Sequence, residues 1–207
     1  MPIAALTALE GLALFLFFVL GLIVGSFLNV CIYRLPRGKS FLDPARSYCP
    51  SCHETIRWYD NVPILSYFLL QGQCRRCGSV FTARYAAVEF LTAALFALAL
   101  YVLRERGEPW GVVAIYAALM AVLIVGSCID IELRIIPDSL TLGGALLAPL
   151  LCVLAPSVHM DPPGRRMGRE LLFAQEASLG ALGACFAGMF VGAFATWFIG
   201  ILGKRVF

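Results

Sequence analysis

The sequence predicts an all-α integral membrane protein of about five transmembrane helices, carrying one cytoplasmic tetracysteine loop domain. Three observations predict it. Of 207 residues, 60% are hydrophobic and only 14% charged, and the mean hydropathy of +0.85 is far above the soluble average. The apolar residues fall into separate runs of span length. The single long polar interruption, residues 34–83, holds two C-x-x-C pairs. A net charge of +3 is too small to build a nucleic-acid-binding face, and no nucleic-acid partner is expected.

Residues 1–33 read as the first transmembrane helix. Leu12 to Tyr33 is apolar, and at about 1.5 Å per residue it crosses a hydrocarbon core of about 30 Å. It has no basic start and no Ala-x-Ala exit, and it runs into Tyr33-Arg34-Leu35-Pro36-Arg37 as a retained anchor would. Gly21 and Gly25 lie one turn apart and predict a close helix–helix seam. Asn29, near the inner end, is either an interhelical hydrogen-bonding group or part of a site. Further spans are expected at Tyr85–Leu103, Gly111–Ile129, Ser139–Ala155 and Ala177–Leu202, within a helical membrane domain of residues 84–207. Glu89, near the start of the second of these spans, either reaches back to Arg84 or serves a function. Residues 34–83 hold seven Arg or Lys against Asp43, Glu54 and Asp60, so the positive-inside rule puts this domain in the cytoplasm.

Within that domain stand Cys49-Pro50-Ser51-Cys52 and, after a 21-residue gap, Cys74-Arg75-Arg76-Cys77. Each knuckle presents two sulfurs from one turn, and Zn²⁺ takes four in a tetrahedron. Cys49, Cys52, Cys74 and Cys77 are therefore the expected metal ligands. Such a zinc is structural, because four thiolates leave no position open for water or substrate. Disulfide pairing is the alternative. Between the knuckles, Trp58 to Leu70 is aromatic and apolar but too short to span. It is expected at the membrane interface or over the knuckles, with a docking surface for a membrane-bound substrate as the sharper reading. Cys31, Cys128, Cys152 and Cys185 lie singly in apolar runs and read as small buried residues.

Asp130, Glu132 and Asp138 place three carboxylates within nine residues after the third span. Asp138 follows Pro137 and suits the N-cap of the next helix. Asp130 directly follows an apolar run and is expected at the membrane boundary, partly desolvated, as a group that holds or gives up a proton in catalysis. Peptide hydrolysis without Ser, Cys or metal requires two such carboxylates sharing a water.

Several stretches together resemble the bacterial type IV prepilin leader peptidases, which are also N-methyltransferases. They are Gly25 to Val30 with Tyr33-Arg34-Leu35-Pro36, the knuckles bracketing Trp58 to Ser66, Tyr85 to Glu89, and Ile129 to Asp138. The resemblance implies a multi-pass protein of the bacterial inner membrane. It implies an intramembrane aspartic endopeptidase that removes the leader of prepilins or pseudopilins, then methylates the new amino terminus from S-adenosylmethionine. It makes Asp130 the first catalytic aspartate and Asp138 a structural neighbour. It assigns the four cysteines to zinc and no residue to the methyl donor.

Two positions depart from the family pattern. Ala86 stands where proline often follows the tyrosine. No Gly-x-Gly-Asp, the family's second aspartate motif, occurs in the 207 residues, and Asp161 lies in a loop expected on the outer side. The resemblance thus leads to the expectation of a fragment or shortened product with little proteolysis by itself. The alternatives are a membrane scaffold or binding remnant, or a methyltransferase-only remnant.

Overall fold

The computed structural model describes residues 8–40, 46–154 and 180–194. The described residues are helical, apart from turns and two isolated β-bridges, Tyr48 with Thr55 and Gln73 with Val80. Helix α1 is Ala8–Arg34, α2 Leu65–Leu69, α3 Arg84–Glu105, α4 Trp110–Leu133 and α5 Asp138–Leu154. A further apolar helix, α6, covers Gly180–Phe194. Helices α1, α3 and α4 are long and apolar enough to cross a membrane. Helix α5, at 17 residues and with Pro149 inside it, is shorter than a span, as is α6. The outer loop expected at residues 159–175, Asp161 within it, and the ends of the last expected span lie outside the described residues.

The chain divides into two compact units, Met1–Glu105 with Val113–Pro137, and Arg106–Val112 with Asp138–Phe207. In the first unit α1 packs along α3. Gly21, Gly25, Leu28 and Ile32 of α1 are buried at helical spacing, and so are Val88, Thr92, Phe96 and Leu103 of α3. The predicted small-residue seam is present. A Cβ on Gly21 would stand 2.5 Å from Ala93 Cα, and one on Gly25 would stand 2.7 Å from Glu89 Cα. The glycines let two backbones approach as closely as helices can. Asn29 Nδ2 crosses the same seam and donates to Tyr85 O at 3.0 Å, fulfilling the hydrogen-bonding reading of that residue. In the second unit Ala181 and Cys185 are buried, with Ala148 and Leu182 packed on them.

The segment between the knuckles is not one apolar stretch. It forms a 3-10 turn at Trp58–Asn61 and then α2. Trp58, Phe68 and Leu69 point outward, at 81%, 70% and 72% exposure. Asp60 instead turns toward the second knuckle, where Arg75 donates to both its carboxylate oxygens from Nε at 2.9 and 3.0 Å.

Candidate zinc centre and adjoining cavity

The two knuckles are built alike. In the first, the Cys49 N–H donates to Glu54 O and the His53 N–H to Cys49 O, both at 2.9 Å. In the second, the Cys74 N–H donates to Ser79 O at 2.8 Å and the Gly78 N–H to Cys74 O at 2.9 Å. The residue after each second cysteine is left-handed, His53 at φ 57° and Gly78 at φ 70°. Glycine adopts that conformation freely, and histidine is among the side chains that tolerate it best. Each turn thereby aims two sulfurs to one side.

The four sulfurs lie within 4.8 Å of one another. Cys49 Sγ and Cys77 Sγ are 3.8 Å apart, and none of the four residues is in a disulfide. A tetrahedron with Zn–S of about 2.3 Å has S···S edges of about 3.8 Å, so the set fits a zinc ion. Burial works to raise the Cys49 thiol, but hydrogen bonds from Ser79 and from the Cys52 and Ser51 backbone outweigh it and bring it to about 6. The backbone of Glu54 works to lower Cys52, yet burial and the three neighbouring sulfurs push it up to about 11. Cys77 is lowered, chiefly by Ser79. Cys49 and Cys77 are thus drawn toward thiolates while Cys52 holds its proton. A divalent cation resolves that by replacing the protons.

Beside the knuckles, within the same unit, lies a cavity of about 270 Å³. Three of the four stretches that carried the sequence resemblance meet on its wall: Ser26, Asn29 and Arg34 from α1, Asp60, Ile64 and Ser66 from the inter-knuckle segment, and Tyr85, Ala86 and Glu89 from α3. Glu89 is buried at 8% exposure. Its Oε2 accepts the Ile64 N–H at 2.7 Å. Arg84 pairs with Glu132 instead, so the simple reading of Glu89 as a partner of Arg84 is corrected. Ile64 has φ 60°, a conformation that a β-branched residue resists. The buried carboxylate holds that strained turn in place. Ser66 Oγ helps, accepting from the Val62 N–H at 2.9 Å and donating to Tyr59 O at 3.1 Å.

Asp130 lies in the last turn of α4, where the other described residues leave it uncovered. It stands about 100° around the helix from the buried Ile129. Its carbonyl accepts the Arg134 N–H at 2.8 Å, with Arg134 left-handed at φ 54°, which closes the helix. The Arg84–Glu132 pair ties this end of α4 to the start of α3. Asp138 opens α5, where its carbonyl accepts from Thr141 Oγ1 at 3.2 Å. Sequence reasoning singled out Glu89 and Asn29 but not Ile64 or Ser66, which no motif chemistry marks.

Comparison with known proteins agrees with this architecture. Residues 19–103 match the model of the bacterial peptidase A24 N-terminal domain, which takes in most of α1, both knuckles and nearly all of α3. The matched region is therefore the part of the chain that holds the tetracysteine set and the two helices packed beside it. The chain is 43% identical over 134 residues to a prepilin leader peptidase/N-methyltransferase of Myxococcus xanthus, covering 65% of this chain and 38% of that one. It is 40% identical over 177 residues to one from Burkholderia pseudomallei, 73% of this chain and 55% of the relative. With one from Vibrio cholerae it shares 38% over 161 residues, 74% and 62% respectively. The chain is a homologue of the prepilin leader peptidase/N-methyltransferases, and it spans about half the length of the curated relatives it matches. No solved structure matches it significantly.

Proposed function

We propose that this chain supplies the zinc-anchored domain and the first catalytic aspartate of a membrane-embedded aspartic endopeptidase. Its substrates are type IV prepilins or pseudopilins, cut at the cytoplasmic face of the bacterial inner membrane, with N-methylation of the new amino terminus. The observation that carries this reading is the meeting of α1, the cysteine domain and α3 around one cavity, in the region that matches the A24 domain. The names of the relatives supply the activity.

On this reading residues 1–33 anchor the chain, 34–83 form the cytoplasmic domain and 84–207 belong to the helical peptidase domain. Zinc on Cys49, Cys52, Cys74 and Cys77 is structural, cross-linking the two turns and leaving no position for catalysis. Asp130 is one of two aspartates that share a water. The ionised partner takes a proton from the water as it attacks the scissile carbonyl. The protonated partner gives its proton to the carbonyl oxygen. Exposure at the helix end lets Asp130 meet a substrate at the membrane boundary, and the Arg84–Glu132 pair steadies its helix. S-adenosylmethionine supplies an electrophilic methyl group to the freed amine.

The 207 residues contain no Gly-x-Gly-Asp, so the proposed pair takes its second carboxylate from outside them. The test is mass spectrometry of a prepilin incubated with membranes carrying the natural polypeptide that includes these residues. Loss of the leader and a gain of about 14 Da on the product are expected, with no cleavage by Asp130→Asn. An intact leader with the unmodified enzyme, or full cleavage by Asp130→Asn, refutes the assignment.

A further inference from the structure

The segment between the knuckles carries no charged residue from Asn61 to Gln73, and its short helix α2 has two unlike faces. Ser66 is buried and, with Ile64, Tyr67 and Leu70, lies on the wall of the cavity. Leu65, Phe68 and Leu69 stand at i, i+3 and i+4, take no part in that wall, and are each more than half exposed. Trp58, also exposed, belongs to the adjoining turn, which Ser66 Oγ ties to α2 through Tyr59 O. A continuous apolar face of this kind marks a contact with something other than water.

Its level along the spans says what that contact is. The Ile64 N–H is held by Glu89 Oε2, and the Ser26 side chain hydrogen-bonds the same carboxylate. Glu89 is five residues into α3, about 7.5 Å along the axis from Arg84. Helical side chains lean toward the start of their helix, which brings the carboxylate back by part of a turn. The turn at Ile64 is therefore level with the first turn of α3, not beyond its end. On α1 the same level is Gly25, whose added Cβ would stand 2.7 Å from Glu89 Cα, nine residues before Arg34. Both spans already expose apolar residues there, Phe27 on α1 and Leu91 on α3. Apolar faces that lie on a membrane seat about 5–10 Å into the boundary between headgroups and acyl chains. The depth of α2 matches that. Trp58 beside Arg57 supplies the amphipathic ring and the cation that suit the same boundary. A bound peptide helix occupies a groove, whereas these side chains project and need only a fluid apolar medium.

We propose that Leu65, Phe68 and Leu69, with Trp58 of the adjoining turn, are embedded in the lipid leaflet at which α3 begins. The tetracysteine domain then lies on the bilayer instead of standing off in water. The lipid holds the outer side of the segment whose inner side is the cavity wall. This inference rests on the membrane spans alone and is independent of the peptidase reading.

The test is photocrosslinking of the unmodified full chain in vesicles of phosphatidylethanolamine and phosphatidylglycerol. The probe is a phospholipid with a diazirine near the carbonyl end of its acyl chain. Trypsin cuts after Arg34, Arg46, Arg57 and Arg75, so residues 1–34, 47–57 and 58–75 are released as separate peptides. Residues 1–34 and 58–75 should both carry lipid, with at least fivefold less on 47–57. Phe68→Asp should lower the label on 58–75 at least fivefold and leave that on 1–34 unchanged. The comparison within the unmodified chain stands whether or not that variant folds. Label on 1–34 without label on 58–75 overturns the proposal and leaves the face to a protein partner such as a substrate peptide. Equal label on 47–57 and 58–75, or label on 58–75 that a folded Phe68→Asp chain retains, overturns it as well.

Discussion

Replacing Gly21 or Gly25 by alanine adds one methyl group where the α1–α3 seam has no room. The added Cβ would stand 2.5 Å from Ala93 Cα in the first case and 2.7 Å from Glu89 Cα in the second. Ordinary carbon contacts begin near 3.5 Å, so the helices must separate by about 1 Å or bend. The obstructing atoms are backbone and cannot rotate aside. Overpacking of this kind is destabilising by about 1–3 kcal/mol. It opposes the gain of about 0.5–1 kcal/mol that alanine brings over glycine within a helix. Gly126 of α4 is the internal control, because a Cβ there meets nothing within 4 Å. Gly126→Ala should therefore be neutral or mildly stabilising. The assay is thermal unfolding of the full chain in detergent, followed by circular dichroism. Gly21→Ala and Gly25→Ala should melt below the unmodified chain, and Gly126→Ala at or above it. If all three variants shift alike, the seam is not held by close backbone approach and the packing argument is wrong.

Further predictions concern the cysteine domain. Zinc binding to the metal-free chain at neutral pH should release fewer than four protons per ion, since Cys49 lies near 6 and Cys77 is also lowered, while Cys52, near 11, must give one up. Calorimetry in buffers of different ionisation enthalpy counts them, and release of all four would contradict the thiol electrostatics. Ile64→Pro removes the N–H that Glu89 accepts and cannot adopt φ 60°, so it should destabilise by ~3 kcal/mol or more. Ile64→Gly accepts the same φ and should retain zinc and fold. Arg75 holds Asp60 below the usual carboxylate range. Its contribution is therefore present above the unfolded value near 3.9 and lost as pH falls through the lower folded value. Asp60→Asn should melt earlier than the unmodified chain at pH 6, and the gap should narrow below about pH 4; a gap independent of pH would refute the ion-pair account.

The features legible in the sequence are those whose physics is local. Two C-x-x-C turns fix sulfur direction within five residues, and they could be read before any fold was known. Gly21 and Gly25 announce a seam because only helical spacing puts them on one face. Asp130 could be located, but its exposure could not, because that depends on which face of α4 is packed. Of the two readings open for Glu89, the pairing with Arg84 fails for a related reason. Its nearest cation in the sequence, Arg84, is taken by Glu132 from a different helix, and its true partner is a backbone N–H 25 residues earlier. Nothing in an isoleucine announces a left-handed turn. The cavity itself depends on α1, α3 and the knuckles meeting, which only the tertiary structure reveals.

The central claim is that a zinc ion held by Cys49, Cys52, Cys74 and Cys77 organises the domain on which the cavity is built. Metal analysis of the purified chain by inductively coupled plasma mass spectrometry tests it most directly. The account predicts about one zinc per chain, lost when Cys49 and Cys74 are changed to serine. A chain that folds with no metal, or one whose four cysteines are found paired as disulfides, would contradict it.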